Sequence, residues 1–365
     1  MKTTIAQSTD NNYQLCDRYF LEANTEIRLL ELTFPMNANE EKKRFFQENT
    51  YEPRFVYKDT EADFDRIGQN LKSLRCPDDE LGRLYEGVRT GLLLKMEILQ
   101  NLGDRDVVLK HSQTVYGCVD DTLLGHAMAI LSRPVEEEVS PCTIDARAAR
   151  EIFRKSLDLL HLDDWRVELT PRTITSVIIP HKFIALCQDR LFSEKEIERL
   201  LVHEIGVHVV RAVNGASQPY KIFAIGLPHY DSTEEGLAVF TEDLLDLTYQ
   251  EIMRNYAGRV VAVKAVGDGV SFRDTFQELK KLGFDDYIAW EISIRTHRAG
   301  GYAKDHIYLK GYLEMKQRFA TDMTDFPCLF TGKVSIDNIE LVKSLIQAGR
   351  LRAPECVPSS LKTFL

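Results

Sequence analysis

The stretch R-L-L-V-H-E-I-G-V-H-V-V-R-A-V, from Arg199 to Val213, sets His203, Glu204 and His208 inside an otherwise apolar helical run. Two neutral imidazoles can hold zinc, and a glutamate directly after the first can take a proton from water beside the metal. That is hydrolytic chemistry. The familiar zinc-protease pattern has its histidines four apart, whereas these are five apart. In a regular α-helix four steps return the second side chain to within about 40° of the first, and five leave it about 140° away. Two such ligands share a metal if one extra residue is accommodated as a π-bulge. Gly206 takes up that distortion most easily, which predicts a widened helix at Ile205 to Val207. The competing reading is a core helix in which His203 and Glu204 pair with other side chains. It would bury two imidazoles and a carboxylate at about 1–3 kcal/mol for each group left unsatisfied.

A two-histidine site needs a carboxylate from a second helix and keeps one coordination position for water. The run G-L-P-H-Y-D-S-T-E-E-G-L-A-V-F-T-E-D-L-L begins such a helix, with Ser232 or Thr233 at its N-terminus. Glu234 and Glu235 are both candidates, and spacing does not separate them. Acidic residues in a first turn also favour the helix dipole by about 0.3–1 kcal/mol, so one glutamate can serve the helix while the other binds metal. His229 would close the site if zinc were purely structural; it reads as a loop histidine.

The segment R-T-H-R-A-G-G-Y-A-K-D-H-I-Y-L-K-G-Y gathers Arg295, His297, Arg298, Lys304 and His306 around a Gly-Gly turn. It reads equally as an anion site for a peptide carboxylate or as a solvated basic loop. An enzyme that recognises a chain end must pair the terminal carboxylate with a cation, and Arg211, Arg295, Arg298 and Lys304 are the candidates. Arg211, three residues after His208, could instead bond a neighbouring loop. Tyr308 follows Lys304 by four, one helical turn on, and could stabilise a developing oxyanion.

The elements that must position these groups fall into two parts. Helical patterns cover Asn12 to Leu32, Glu61 to Leu74, Glu80 to Leu102 and D-D-T-L-L-G-H-A-M-A-I-L, with a short charged helix and an extended P-R-F-V-Y piece between the first two. This portion ends near R-P-V-E-E-E-V-S-P. Asp145 then caps a further helix, and W-R-V-E-L-T, I-T-S-V-I-I-P and F-I-A-L-C-Q read as strands. Lys182 to Gln188 is the candidate edge strand for an extended peptide. S-E-K-E supplies a capping box, Ser193 bonding ahead and Glu196 reaching back, and Asn214-Gly215 a left-handed helix end. The fold class is therefore α+β: a helical N-terminal domain (1–140), then a zincin-like metallopeptidase domain (141–365) with a small sheet packed on the metal-binding helix.

The chain has 365 residues, 44% of them hydrophobic, enough for two cores. Its net charge of −10 argues against general affinity for nucleic acid or anionic lipid. No apolar block suggests a signal peptide or membrane span, so a soluble cytoplasmic protein is expected. Seven scattered cysteines, without a C-x-x-C pair, read as free thiols.

Together, H-E-I-G-V-H, T-E-E-G-L-A and G-G-Y-A-K-D-H-I-Y-L-K-G resemble the microtubule-associated tyrosine carboxypeptidases and their relatives, whose zinc motif has this five-residue spacing. P-M-N-A-N-E and P-R-F-V-Y-K extend the likeness into the first domain. The resemblance implies Zn2+ on His203, His208 and Glu235, with Glu204 as catalytic base. It lifts Lys304 and Arg298 above Arg295 as substrate-binding cations. It also implies a zinc-dependent carboxypeptidase that removes a C-terminal, tyrosine-like residue from a protein or peptide. The alternatives are another zinc exopeptidase of the dipeptidyl-peptidase kind and a zinc-stabilised regulatory module without catalysis.

Overall fold

A computed structural model describes residues 2–135, 141–170, 176–178, 181–358 and 361. The chain is mostly helical with a small sheet, an α+β architecture. It gathers into two compact units, Met1–Val135 with Gln250–Lys310, and Glu136–Tyr249 with Gly311–Leu365. Most of the linker R-P-V-E-E-E-V-S-P, and parts of I-T-S-V-I-I-P, lie outside the described residues.

Acidic N-caps start four successive helices of the first unit. Asp63, Asp79, Asp104 and Asp120 accept backbone N–H bonds ahead of Phe64–Ser73, Glu80–Gln100, Arg105–Tyr116 and Asp121–Leu131. Each cap satisfies donors that the first helical turn cannot. The opening helix runs Lys2–Glu26 and breaks before Leu29–Leu32, so it is not continuous to Leu32 as its periodicity suggested. The extended piece after the Ala38–Gln47 helix is held by Asn37, whose amide donates to the Arg54 carbonyl (2.8 Å) and accepts from the Val56 N–H (2.9 Å). Phe45 meets Phe272, Phe276 and Trp290 with ring centroids 4.9–5.3 Å apart, at the tilted and edge-on angles aromatic quadrupoles favour.

In the second unit, strand β1 (Ile144–Asp145) pairs antiparallel with β5 (Leu191–Phe192). Three more strands, β2 (Arg166–Thr170), β3 (Ser176–Ile178) and β4 (Phe183–Cys187), form a sheet in the order β2-β4-β3. β4 runs parallel to β2, with Arg166 opposite Phe183, and antiparallel to β3, with Val177 opposite Ile184. The expectation of an edge strand at Lys182 to Gln188 is therefore corrected. β4 is the middle strand and both its hydrogen-bonding edges are taken, which agrees with its nearly continuous burial. Asp145 caps Ala146–Leu159 as expected. Phe153 and Leu157 from that helix share one core with Ile184 and Leu186 of β4, and with Ile205 and Val209 of the histidine-bearing helix.

That helix begins at Ser193, whose hydroxyl accepts from the Glu196 N–H at 3.2 Å. The Glu196 carboxylate turns to Arg190. The helix is α over Glu194–Leu200, π over Leu201–Val209 and α again over Val210–Ser217. It does not end at Asn214-Gly215. Gly215 stays helical, and a Cβ there would lie 2.2 Å from the Phe223 carbonyl oxygen. The glycine marks a close crossing and not a left-handed cap.

Candidate active site

Helix widening brings the two histidines to one face. The Val210 N–H bonds back to Ile205 O, a five-residue closure in place of four. The widened region spans Leu201–Val209, longer than the three residues expected, and Gly206 lies in its middle. His203 and His208 stand with ring centroids 4.8 Å apart at 81°. Their Nε2 atoms lie 3.8 and 3.7 Å from Glu235 Oε2. One ligand atom from each of the three residues falls within 4.8 Å of the others, the group among the described residues that could hold a metal ion.

The opposite ring nitrogens are fixed by carboxylates. His203 Nδ1 is 2.6 Å from Glu242 Oε1, and the same oxygen accepts from Arg199 Nη1 at 3.0 Å. His208 Nδ1 is 2.9 Å from Glu234 Oε1, whose other oxygen is bonded by Arg211. Each imidazole thus donates from Nδ1 to a carboxylate and turns its Nε2 toward Glu235. This arrangement around metal-ligating histidines fixes tautomer and ring orientation. Glu234, Glu235 and Glu242 all come from the helix Tyr230–Leu244.

The second helix approaches closely through glycine. A Cβ on Gly236 would lie 2.1 Å from the backbone of Gly311, and one on Gly311 would lie 2.0 Å from Ser232 O. The glycine of E-E-G-L-A is therefore a packing requirement next to Glu235. Ser232 and Thr233 are not the cap, because His229, exposed and left-handed at φ 61°, stands at the helix start. Thr233 Oγ1 accepts from Ile336 N at 2.9 Å and Ser232 Oγ donates to Glu314 at 3.1 Å. His229 is not part of the metal-competent cluster.

Burial raises the Glu204 carboxyl, and the neighbouring histidines pull it down only in part. Burial opposes charge on His203, yet the adjacent Glu235 and Glu242 carboxylates outweigh it and push the imidazole up to about 10. The field that would favour a proton on His203 equally favours a metal cation between the rings. A tetrahedral zinc with ligand bonds of about 2.0–2.2 Å needs donor atoms about 3.4 Å apart. The 3.7 and 3.8 Å separations to Glu235 exceed this by a few tenths of an ångström, and all three ligand atoms lie within 4.8 Å of one another, so two imidazoles and a carboxylate form a zinc-type donor set whose atoms would draw together on binding.

The sequence offered two roles for Arg211, and its bonds are those of the loop tether. It is fully buried; Nε donates to Leu329 O (2.9 Å) and Gly332 O (3.0 Å), while the other nitrogens bond Glu234 and Val334 O. Arg298, Lys304 and Tyr308 belong to the first unit. There Arg298 and Lys304 are buried, Arg298 lies over the Tyr302 ring, and Tyr308 stacks on Tyr256 at 5.1 Å. Arg295 pairs with Asp305. Glu242 and Arg199 were not singled out from sequence. The available signal was spacing: Glu242 follows Glu235 by seven residues, two turns along the same helical face.

A family model described as microtubule-associated tyrosine carboxypeptidase matches residues 43–364. The chain belongs to this family. Microtubule-associated tyrosine carboxypeptidase 1 of Mus musculus is 25% identical over 349 residues, covering 88% of this chain and 63% of the relative. The protein of the same name from Homo sapiens is 33% identical over 165 residues, 40% of this chain and 32% of that one. The chain thus spans less than two thirds of the length of these relatives.

Proposed function

We propose that this family member is a zinc-dependent carboxypeptidase that removes a C-terminal, tyrosine-like residue from a protein or peptide. The observation that carries the reading is the convergence of His203 Nε2, His208 Nε2 and a Glu235 oxygen within 4.8 Å, in a chain whose relatives are named tyrosine carboxypeptidases. His203, His208 and Glu235 would hold the metal in a zincin-like arrangement. Zinc bound there would supply Lewis acidity and make water acidic enough to ionise near neutral pH.

The remaining work falls to side chains. Glu204 takes a proton from the attacking water on its carboxylate and returns it to the leaving amine. Glu242 and Glu234 hold the imidazoles in the productive tautomer, and Arg199 and Arg211 hold those carboxylates. Lys304 and Arg298 are the candidates for pairing with the chain-end carboxylate, and Tyr308 for stabilising the oxyanion. Among the described residues no helix is long and apolar enough to cross a membrane.

The test is mass spectrometry of a peptide library with varied C-termini, incubated with zinc-loaded protein. Loss of single C-terminal residues, aromatic ones foremost, is expected. Glu204→Gln should keep its metal and lose turnover by about 10²–10⁴-fold. A fully active Glu204→Gln protein would refute the mechanism, and release of N-terminal residues or dipeptides would refute the carboxypeptidase assignment.

A further inference from the structure

Beyond His208 the metal-bearing helix continues as Val210–Ser217, and one buried face of it is polar. Arg211, Asn214 and Gly215 share that face at helical spacing, and Gln218 follows at the helix end. Asn214 and Gln218 are 2% and 1% exposed. The Asn214 amide donates to the Cys356 carbonyl at 2.8 Å and accepts from the Cys356 N–H at 2.9 Å. Gln218 repeats this grip on Arg352, donating at 3.0 Å and accepting at 2.9 Å, and it also donates to Thr331 O at 3.1 Å. The gripped segment runs on to Pro358, whose Cγ lies 3.8 Å from where a Cβ on Gly206 would stand, in the middle of the widened turn.

Apolar packing is non-directional and tolerates rotation of a helix. An amide bonded through both its ends to one backbone residue fixes rotation and height together. The distinction matters here because the π segment Leu201–Val209 has an α-helical alternative. Returning it to α winding would turn all that follows by about 100°, and slide it by about 1.5 Å, for each residue taken back. The grips of Asn214 and Gln218 would then break. A neighbour bearing a Cβ would also replace Gly215 against the Phe223 carbonyl, where a Cβ would lie 2.2 Å from the oxygen. On the other side of the turn, Ile197 and Leu200 are seated in one core with Ile205 and Val209, which fixes what precedes it.

We propose that Asn214 and Gln218 are positioning residues of the metal site, an inference that rests on the metal reading above. By fixing the register of Val210–Ser217 they keep the helix widened, and so keep His203 and His208 on one face. A helix returned to α winding would set the two imidazoles about 140° apart and leave them unable to share an ion.

The test compares Asn214→Leu and Gln218→Met, which keep bulk and remove the grip, with Phe153→Leu, which loosens the apolar core and leaves the amide bonds in place. Each protein is held the same interval below its own Tm in chelator. Hydrogen exchange of the 201–210 amides in metal-free protein reads opening of the widened turn, and competition against a chromophoric chelator reads zinc affinity. Both amide variants should exchange those amides faster than the unmutated protein. Both should bind zinc about tenfold more weakly, as follows when the widened, binding-competent form falls to about a tenth of the molecules. Phe153→Leu should do neither. Unaltered zinc affinity in the amide variants, or an equal loss in Phe153→Leu, would overturn the proposal. If Asn214→Leu does not fold, Gln218→Met decides. An unmutated protein that bound no zinc would overturn the metal reading by itself; unaltered exchange in the amide variants would overturn the register lock separately.

Discussion

Glu242 offers the sharpest separation between holding the fold and holding the metal. Its side chain is fully buried, and one oxygen serves both His203 Nδ1 and Arg199. Glu242→Gln preserves shape and can still accept from one donor, but it removes the charge that balances Arg199, itself 7% exposed. Leaving a buried guanidinium without its counter-charge costs about 3–5 kcal/mol. Separately, loss of the carboxylate behind a metal-bound histidine weakens affinity by about 10–100-fold, or about 1.4–2.7 kcal/mol. Pairing Glu242→Gln with Arg199→Met removes the guanidinium that has lost its Glu242 pairing, so it should restore much of the stability but not the affinity. Urea denaturation in chelator gives the first quantity, and zinc competition against a chromophoric chelator gives the second. If Glu242→Gln and the double variant both bound zinc as tightly as the unmutated protein, Glu242 would be only the counter-ion of Arg199. The tautomer argument would then fail.

Gly236→Ala should displace the Tyr230–Leu244 helix, because the neighbour 2.1 Å from the new Cβ is backbone; a loss of at least about 1–3 kcal/mol and lower zinc content are expected, and normal zinc binding would contradict the crossing. Gly206→Ala should be tolerated, since its Cβ would meet nothing closer than 3.7 Å, and a change in stability of less than about 1 kcal/mol with activity kept would confirm that no steric demand fixes this glycine. His306 is fully buried, and burial first, then Lys310, lowers its pKa to about 4, with Asp305 opposing. Because its native pKa lies below the unfolded value near 6.5, the unfolded chain binds more protons between the two. Stability from this group is complete above about pH 6.5 and falls by about 3 kcal/mol toward pH 4; urea midpoints for His306→Asn should show a shallower pH slope, and parallel curves would exclude the effect. C-terminal amidation of the substrate should impair the unmutated enzyme far more than Arg298→Ala or Lys304→Ala variants; equal cleavage of amidated and free-acid peptides by the unmutated protein would remove the carboxylate role from both residues.

Local chemistry was legible in the sequence because it depends on near neighbours. Histidines five apart on one helix can face a single ion only if the helix widens, and the structure has that widening. Asp145 and Ser193 became caps for the same reason: their side chains reach only the next two or three N–H groups. Spacing could not choose between Glu234 and Glu235, because adjacent residues on a helix differ by about 100° and only the partner helix decides which of them faces the histidines. Tertiary structure turned Glu235 toward the two Nε2 atoms and gave Glu234 to His208 Nδ1 and Arg211. It also put β4 in the middle of its sheet, where strand order and not strand composition sets which edges are open. Gly215 and Gly236 read alike from sequence as breakers or motif glycines, yet each is required by a backbone arriving from far along the chain. The residues carrying candidate chemistry were local facts; which of their atoms converge was settled by the packing of segments that the sequence leaves far apart.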